Sequence, residues 1–296
     1  MSKLVCDGAA GGRLAGAGRG DESGHCTGGR GGLLSSGEAF VDIISESAVQ
    51  GVIVRRFALK AAAAVVPGLY WRPAGPAAPR ATVLIGHGGS QHKGAQNVVA
   101  LARRLVRECG YAAVALDAPN HGDRMTPAQR EAREQLLQAR QDGAPELPPG
   151  LRDQLRQAMA QAVPVAVAEW QALLDDLGTQ PDGADGPFGY WGVSMGTAIG
   201  VPLLAAENRI RAAALGLSGL RDGDDARRQQ AAGITIPLLF LLQSDDQLVT
   251  RESGLALWDA FGSADKALHL NPGPHQGIPG RERAYALDFF REHLAG

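Results

Sequence analysis

The feature that most constrains the fold is an alternation of short, continuous apolar runs with longer stretches of helical periodicity. The runs ATVLIGHGG (81–89), YAAVALDAP (111–119) and IPLLFLLQ (236–243) have no polar face, as expected of strands that are buried on both sides. Between such runs, stretches like AQNVVALARRLVREC (95–109) repeat apolar residues at helical spacing. The alternation predicts parallel βαβ units, and therefore an α/β fold with a mostly parallel, doubly wound sheet flanked by helices.

The start of the chain differs in composition from the rest. Residues 1–37 are rich in Gly, Ala and Arg and hold few large apolar side chains, so they cannot bury enough surface to offset the entropy of ordering. We expect a disordered tail over residues 1–37 and a single α/β domain over residues 38–296. Two further helical stretches predict a helical insertion over about 124–177. The sequence leaves open whether this insertion covers the functional site.

Charge, hydropathy and cysteine content exclude several classes of protein. The formal net charge of −2 gives no electrostatic reason to expect a nucleic acid or an anionic membrane as partner. No apolar run approaches the roughly 20 residues that span a bilayer. Cys6, Cys26 and Cys109 are too few for a disulfide scaffold, and their spacing fits no metal site. Because the N-terminus also lacks the apolar segment of a signal peptide, we expect a cytoplasmic protein.

The segment GYWGVSMGTAIG (189–200) holds a candidate nucleophile. Ser194 lies between Gly192 and Gly196, after a strand-like FGYW and before a helix-like run. A sharp turn from strand to helix needs small neighbours and exposes the serine hydroxyl, and the helix N-terminus favours developing negative charge. A serine in an ordinary structural turn is the alternative interpretation.

A serine hydroxyl needs a base that takes its proton and a third group that orients the base. His275 lies in the Pro- and Gly-rich loop NPGPHQGIPG, after the last predicted strand. The strand 236–243 is followed by Asp245 and Asp246. The pattern Q-x-x-D-x-x-V (243–249) puts Asp246 after the turn and aims it back over the sheet, so we predict Asp246 as the orienting acid, with Asp245 as the alternative. Because the carboxyl ends of parallel strands share one edge of the sheet, this acid and the histidine can meet there.

The same edge holds candidate donors for a developing oxyanion. The amide of Met195 begins the helix after Ser194, and the loop after the strand 81–86 offers Gly89, with Gly88 beside it. Little side chain there lets a substrate oxygen approach the backbone. His87 is expected to brace this loop by hydrogen bonding.

Several further residues have smaller predicted roles. Asp117 and His121 are expected to fix the next loop along the edge, and the set of His87, His121 and Asp117 lacks convincing metal-ligand spacing. Trp191 and Leu248 are candidate substrate-binding residues, although core packing explains them equally well. The predicted chemistry needs no metal and no cofactor.

These segments together resemble the α/β-hydrolase superfamily over about residues 50–295, in its esterase-like branch near dienelactone hydrolases and prolyl-oligopeptidase-type catalytic domains. The motifs that carry the resemblance are HGG (87–89), DAPNHGDR (117–124), GVSMG (192–196), QSDD (243–246) and PHQGIPGRERAYALDFFREHL (274–294). The resemblance implies a triad of Ser194, Asp246 and His275, in the chain order of that superfamily, with Met195 and Gly89 as oxyanion donors.

The chain also departs from its relatives in this resemblance. Dienelactone hydrolases use a cysteine where this chain has Ser194, and only some 17 residues follow Gly219 before the next strand, too few for a full lid. We therefore expect a serine carboxylesterase that acts on small or medium acyl esters through an acyl-enzyme. A thioesterase, a peptidase or an acyltransferase with the same triad stays open, and so does a non-catalytic binding protein on the same fold.

Overall fold

The computed structural model describes residues 40–61, 64–141, 149–178 and 186–295. The expected tail over residues 1–37 lies outside this part of the chain. The described residues form a sheet of nine strands in the order β1-β2-β3-β5-β4-β6-β7-β8-β9. The strands are β1 (Phe40–Val49), β2 (Val52–Ala61), β3 (Ala64–Pro73), β4 (Thr82–Gly86), β5 (Ala112–Leu116), β6 (Phe188–Val193), β7 (Ile210–Gly216), β8 (Leu238–Gln243) and β9 (Lys266–Asn271).

Seven α-helices flank this sheet within the described residues. They are α1 (Gln96–Arg104), α2 (Pro127–Gln141), α3 (Pro149–Leu177), α4 (Met195–Ala206), α5 (Asp225–Ala232), α6 (Arg251–Ala260) and α7 (Gly280–His293). A turn of π-helix (Leu105–Cys109) extends α1, and a turn of 3₁₀-helix (Gly122–Arg124) follows β5. In the described part of the chain, no helix combines the length and the apolar character needed to cross a membrane.

The sheet is parallel from β5 to β9 and antiparallel over β1, β2 and β3. The predicted α/β fold with a mostly parallel sheet is confirmed. The sequence did not predict β1, an edge strand in which both Ile43 and Ile44 are more than half exposed. A strand that is exposed on both faces has no burial pattern, so its periodicity gives no signal.

Two apolar clusters fill the space between the sheet and the helices, one on each face. The first includes side chains of α3, α4, α5 and α6, with Trp170 and Phe240 among them. The second includes side chains of α1 and α7, with Leu101 and Phe290 among them. The central strands β4 to β8 are almost wholly buried, which is why they appear in the sequence as continuous apolar runs.

The helices of the predicted insertion differ in how they pack. The second half of α3 buries Ala166, Trp170 and Leu173 in the first cluster. This half therefore serves as the helix that connects β5 to β6. The described side chains of α2 are mostly exposed, and residues 142–148 lie outside the described part.

Candidate active site

The turn between β6 and α4 holds Ser194 in a strained backbone conformation. Its φ is 58° and its ψ is −113°, a combination that non-glycine residues rarely adopt and that is typical of functional positions. The N–H of Ser194 donates to the carbonyl of Gly216 at the end of β7 (2.9 Å). A Cβ on Gly196 would lie 2.5 Å from the carbonyl oxygen of Gly86, and a Cβ on Gly192 would lie 2.6 Å from that of Gly196. Both glycines are therefore required by the close approach of the backbone.

Two buried hydroxyl groups hold this turn in place. The Thr197 Oγ1 accepts from the N–H of Gly216 (2.9 Å) and lies 2.6 Å from the carbonyl of Gly216 and 2.8 Å from that of Gly192. The Tyr190 hydroxyl donates to the carbonyl of Gly196 (2.7 Å). Burial raises the pKa of Tyr190, so the group stays a donor. The turn is thus fastened to both β6 and β7.

Ser194, His275 and Asp246 form a continuous chain of hydrogen bonds. The His275 Nε2 lies 2.8 Å from the Ser194 Oγ, and the His275 Nδ1 lies 2.7 Å from the Asp246 Oδ2. The Asp246 side chain is 2 % exposed, and its Oδ1 accepts from the N–H groups of Leu248 and Val249. Because an ionised carboxylate only accepts, Nδ1 carries the proton and the lone pair of Nε2 faces the serine hydroxyl.

Asp245, the alternative acid, has a different partner. Its Oδ2 accepts from the N–H of Gly273 (2.8 Å), two residues before His275. The structure therefore brings Asp246, and not Asp245, into contact with the imidazole.

The candidate oxyanion donors lie beside Ser194. A Cβ built on Gly89 would lie 3.8 Å from the Cβ of Met195, so the two residues face each other. Met195 is the first residue of α4, and its N–H precedes the first hydrogen bond within the helix. The N–H of Gly88 donates to the Gln91 Oε1 (3.1 Å). The structure thus places Met195 and Gly89 together and gives Gly88 another partner.

His87 and His121 hold the loop that carries these glycines. The His87 Nε2 accepts from the N–H of Ala118 (3.1 Å), which leaves its Nδ1–H to donate to the carbonyl of Gly88 (2.9 Å). Burial lowers the pKa of His87 to about 4, so this imidazole is neutral near pH 7. The His121 Nε2 lies 2.9 Å from the carbonyl of Gly89. The carbonyl of Gly88 and the N–H of Gly89 belong to one peptide group, so His87 orients that N–H.

A buried ion pair fixes the loop after β5. Asp117 is fully buried, and its carboxylate accepts from the Lys93 Nζ (2.7 Å), the Lys93 N–H (2.9 Å) and the Asp123 N–H (2.8 Å). The Lys93 ammonium also bonds the Asp123 carboxylate and holds the pKa of that carboxyl below its ordinary value. Among the described residues, no group of three or more His, Cys, Asp or Glu side chains could hold a metal ion.

The two predicted substrate-binding residues lie in different environments. Trp191 is 6 % exposed and packs in the second apolar cluster. This burial explains Trp191 as a core residue, the second of the two interpretations that the sequence allowed. Leu248 is 61 % exposed, and its N–H bonds the Asp246 carboxylate. Leu248 is therefore at the surface beside the candidate acid.

Sequence reasoning missed three polar residues that support the site. Lys93, Thr197 and Gln243 are all buried. Thr197 had a usable signal, because it lies three residues after Ser194, one helical turn into α4. A lysine in a Gly-rich loop and a glutamine at the end of a strand carry no comparable signal, since either is ordinarily solvated.

Structure comparison finds esterases with the same fold. A PEG-bound structure of a novel cold-adapted esterase from an Arctic intertidal metagenomic library is 32% identical, with a TM-score of 0.68; the match covers 85% of this chain and 98% of that one. An acetyl xylan esterase from Paenibacillus sp. R4 is 15% identical, with a TM-score of 0.58 and coverage of 86% and 89%. The methylesterase BT1017 is 17% identical, with a TM-score of 0.63 and coverage of 88% and 58%.

These similarities differ in what they establish. The acetyl xylan esterase and the methylesterase, at such low identity, show the shared fold alone. No protein-family model matches the chain, and no curated protein sequence matches it. The cold-adapted esterase is similar in sequence over nearly its full length. The chain therefore belongs to the esterase-like branch of the α/β-hydrolase superfamily, and it is an ester-hydrolysing enzyme of the carboxylesterase type.

Proposed function

We propose that the enzyme hydrolyses esters through an acyl-enzyme on Ser194. The observation that carries this proposal is the unbroken series of hydrogen bonds from the Ser194 Oγ through His275 to Asp246, at 2.8 and 2.7 Å. Each of the three side chains in that series has the donor or acceptor role that nucleophilic catalysis needs.

In the first half of the reaction, the Ser194 oxygen attacks the ester carbonyl while the His275 Nε2 takes the hydroxyl proton. The tetrahedral intermediate collapses, the bond to the alkoxy group breaks, and the imidazolium gives its proton to the departing alcohol. Water then attacks the acyl-serine with His275 again as base, which releases the carboxylic acid and restores the serine. The buried Asp246 stabilises the imidazolium that forms in each half.

The oxyanion of both intermediates is proposed to bind between the N–H groups of Met195 and Gly89. The adjacency of these residues supports this assignment, as does the position of Met195 at the N-terminus of α4. Gly88 is left out, because its N–H already donates to Gln91.

We propose small or medium acyl esters as substrates, with Leu248 as an apolar contact at the rim. Its exposed side chain on the loop of Asp246 supports that role. Trp191 is left out of this proposal because it lies in the core. A cytoplasmic location and a single domain over residues 38–296 are proposed from the sequence alone.

The direct test replaces the nucleophile. Ser194→Ala should abolish measurable turnover of p-nitrophenyl acetate and should prevent labelling by a fluorophosphonate, because the hydroxyl proposed to form the acyl-enzyme is gone. Ser47→Ala, at an exposed serine of β1, is the matched control and should change neither result. Full turnover by the Ser194→Ala variant would refute the proposed mechanism. A panel of p-nitrophenyl esters from C2 to C16 would then define the acyl preference of the wild type.

A further inference from the structure

Two polar residues, Gln243 and Asp245, lie beside the candidate acid Asp246 at the end of β8. Gln243 ends β8, and Asp245 precedes Asp246. Neither side chain touches substrate-facing groups in the mechanism above, yet both face the loop that carries His275.

Each of these side chains makes a hydrogen bond to the backbone of one of the two residues before His275: Asp245 to Gly273, and Gln243 to Pro274. The Asp245 Oδ2 accepts from the N–H of Gly273 (2.8 Å). The Gln243 Nε2 donates to the carbonyl of Pro274 (3.3 Å), and Gln243 is 3 % exposed. The backbone adds an Asp245 N–H bond to the Gly273 carbonyl (3.3 Å). The segment at the end of β8 that carries Asp246 is therefore also hydrogen-bonded to the loop that carries His275.

This loop needs such support because it has little structure of its own. Gly273 has a φ of 115°, a conformation that side chains disfavour, and the loop between β9 and α7 contains no regular secondary structure. The imidazole must keep Nε2 within hydrogen-bond reach of the serine while Nδ1 stays on Asp246. Small displacements of a catalytic group lower the rate strongly, so a loop anchored only at its ends is a poor platform for a base.

We propose that Asp245 is a positioning residue for His275, assisted by Gln243, and that it acts by accepting the hydrogen bond from the Gly273 N–H. This inference rests on the proposed function of His275 as the base. It assigns the two consecutive aspartates different tasks: Asp246 orients and stabilises the imidazole, and Asp245 fixes the backbone from which the imidazole projects.

The test compares Asp245→Ala with Asp245→Asn. The alanine variant loses the acceptor for the Gly273 N–H, and its kcat should fall roughly tenfold with KM within about twofold, because the interaction matters in the transition state and not for substrate binding. The asparagine variant keeps a side-chain oxygen in the same place and should retain kcat within about threefold. Asp259→Ala, at an exposed aspartate of α6, is the matched control and should retain wild-type kcat.

Several outcomes separate this proposal from its alternatives. Equal losses in the alanine and asparagine variants would overturn the hydrogen-bond role, as would an unchanged kcat in the alanine variant. If the alanine variant also loses thermal stability, Gln243→Met offers a second test: a reduced kcat with an unchanged KM supports the proposal, and a wild-type kcat opposes it. Activity that survives in Ser194→Ala would instead refute the proposed mechanism, so the two failures are distinguishable.

Discussion

His87, the buried histidine after β4, provides a quantitative prediction about stability in acid. His87 is 2 % exposed, and burial lowers its pKa from the ordinary 6.5 to about 4. In the unfolded chain the group takes up a proton near pH 6.5, whereas in the folded chain it does so only near pH 4. Between these values the unfolded state binds more protons, so the stability conferred by neutral His87 is complete above pH 6.5 and is lost as the pH falls toward 4.

The size of this effect follows from the two pKa values. One pKa unit corresponds to about 1.4 kcal/mol, so the whole window corresponds to about 3 kcal/mol. Between pH 7.5 and pH 5, the free energy of unfolding should fall by about 2 kcal/mol through His87 alone. Other groups titrate in the same range, so the contribution of His87 to the unfolding free energy must be isolated by comparison with a variant that lacks the imidazole.

Two substitutions isolate the contribution of His87 to the pH dependence of stability. They also distinguish the effects of its two hydrogen bonds. Asparagine can place an amide N–H near the Nδ1 position and donate to the Gly88 carbonyl, whereas glutamine can place its oxygen near the Nε2 position and accept from the Ala118 N–H. Each variant should be about 1–3 kcal/mol less stable than the wild type at pH 7.5, because one buried partner is left unpaired. Neither can titrate, so both should lose stability less steeply than the wild type on going to pH 5.

Urea denaturation of the three proteins at pH 7.5 and pH 5 measures the difference. The reasoning is wrong if the wild type and both variants show the same change in unfolding free energy between the two pH values. Ester turnover adds a second readout. His87→Gln should lose more kcat than His87→Asn, because only the glutamine variant releases the peptide group that carries the Gly89 N–H.

Two further predictions concern the turn at Ser194. Thr197→Val removes the hydroxyl that accepts from the Gly216 N–H, and denaturation should show a loss of about 1–3 kcal/mol that Thr197→Ser, which keeps the hydroxyl, largely avoids. Gly196→Ala places a Cβ 2.5 Å from the Gly86 carbonyl oxygen and should lower kcat by roughly 100-fold or more through displacement of Ser194, the proposed nucleophile. Gly150→Ala, where a Cβ would meet no atom within 4 Å, is the matched control and should leave turnover unchanged.

The sequence predicted most of the fold because the central strands are buried on both faces. That burial produces continuous apolar runs, which end at the polar residues of the site. The same reasoning failed for β1, where exposure on both faces removes the signal. It also failed for α5, a short helix of low hydrophobicity with a single buried residue. Buried strands and helices are therefore predictable from the pattern of apolar residues, whereas exposed ones leave no such pattern.

The residues of the candidate site also differ in how far the sequence predicts them. Ser194 and His275 were predictable from a turn motif and from a loop at the end of the last strand. For the acid, the spacing after the strand favoured Asp246 over Asp245 without excluding Asp245, because two consecutive residues after a strand leave its alternation and the turn decides which one faces the imidazole. The sequence did not reveal that Gly88 donates to Gln91, since this bond depends on the final shape of the loop.

The register of the sheet explains why three scattered segments meet. Gly86 of β4 pairs with Gly192 of β6, so the loop that carries Gly89 and the turn of Ser194 leave the sheet side by side. Asp246 follows β8, which is separated from β6 by β7, so the two strands lie about 10 Å apart. A serine and a carboxylate cannot bond directly across that distance, whereas an imidazole with a hydrogen bond at each nitrogen can bridge it. The imidazole of His275, on the loop between β9 and α7, spans this gap with one hydrogen bond to each side chain. The hydrogen bond from the Gly273 N–H to Asp245 ties the same loop to the end of β8, so the segment that carries Asp246 also supports the segment that carries His275.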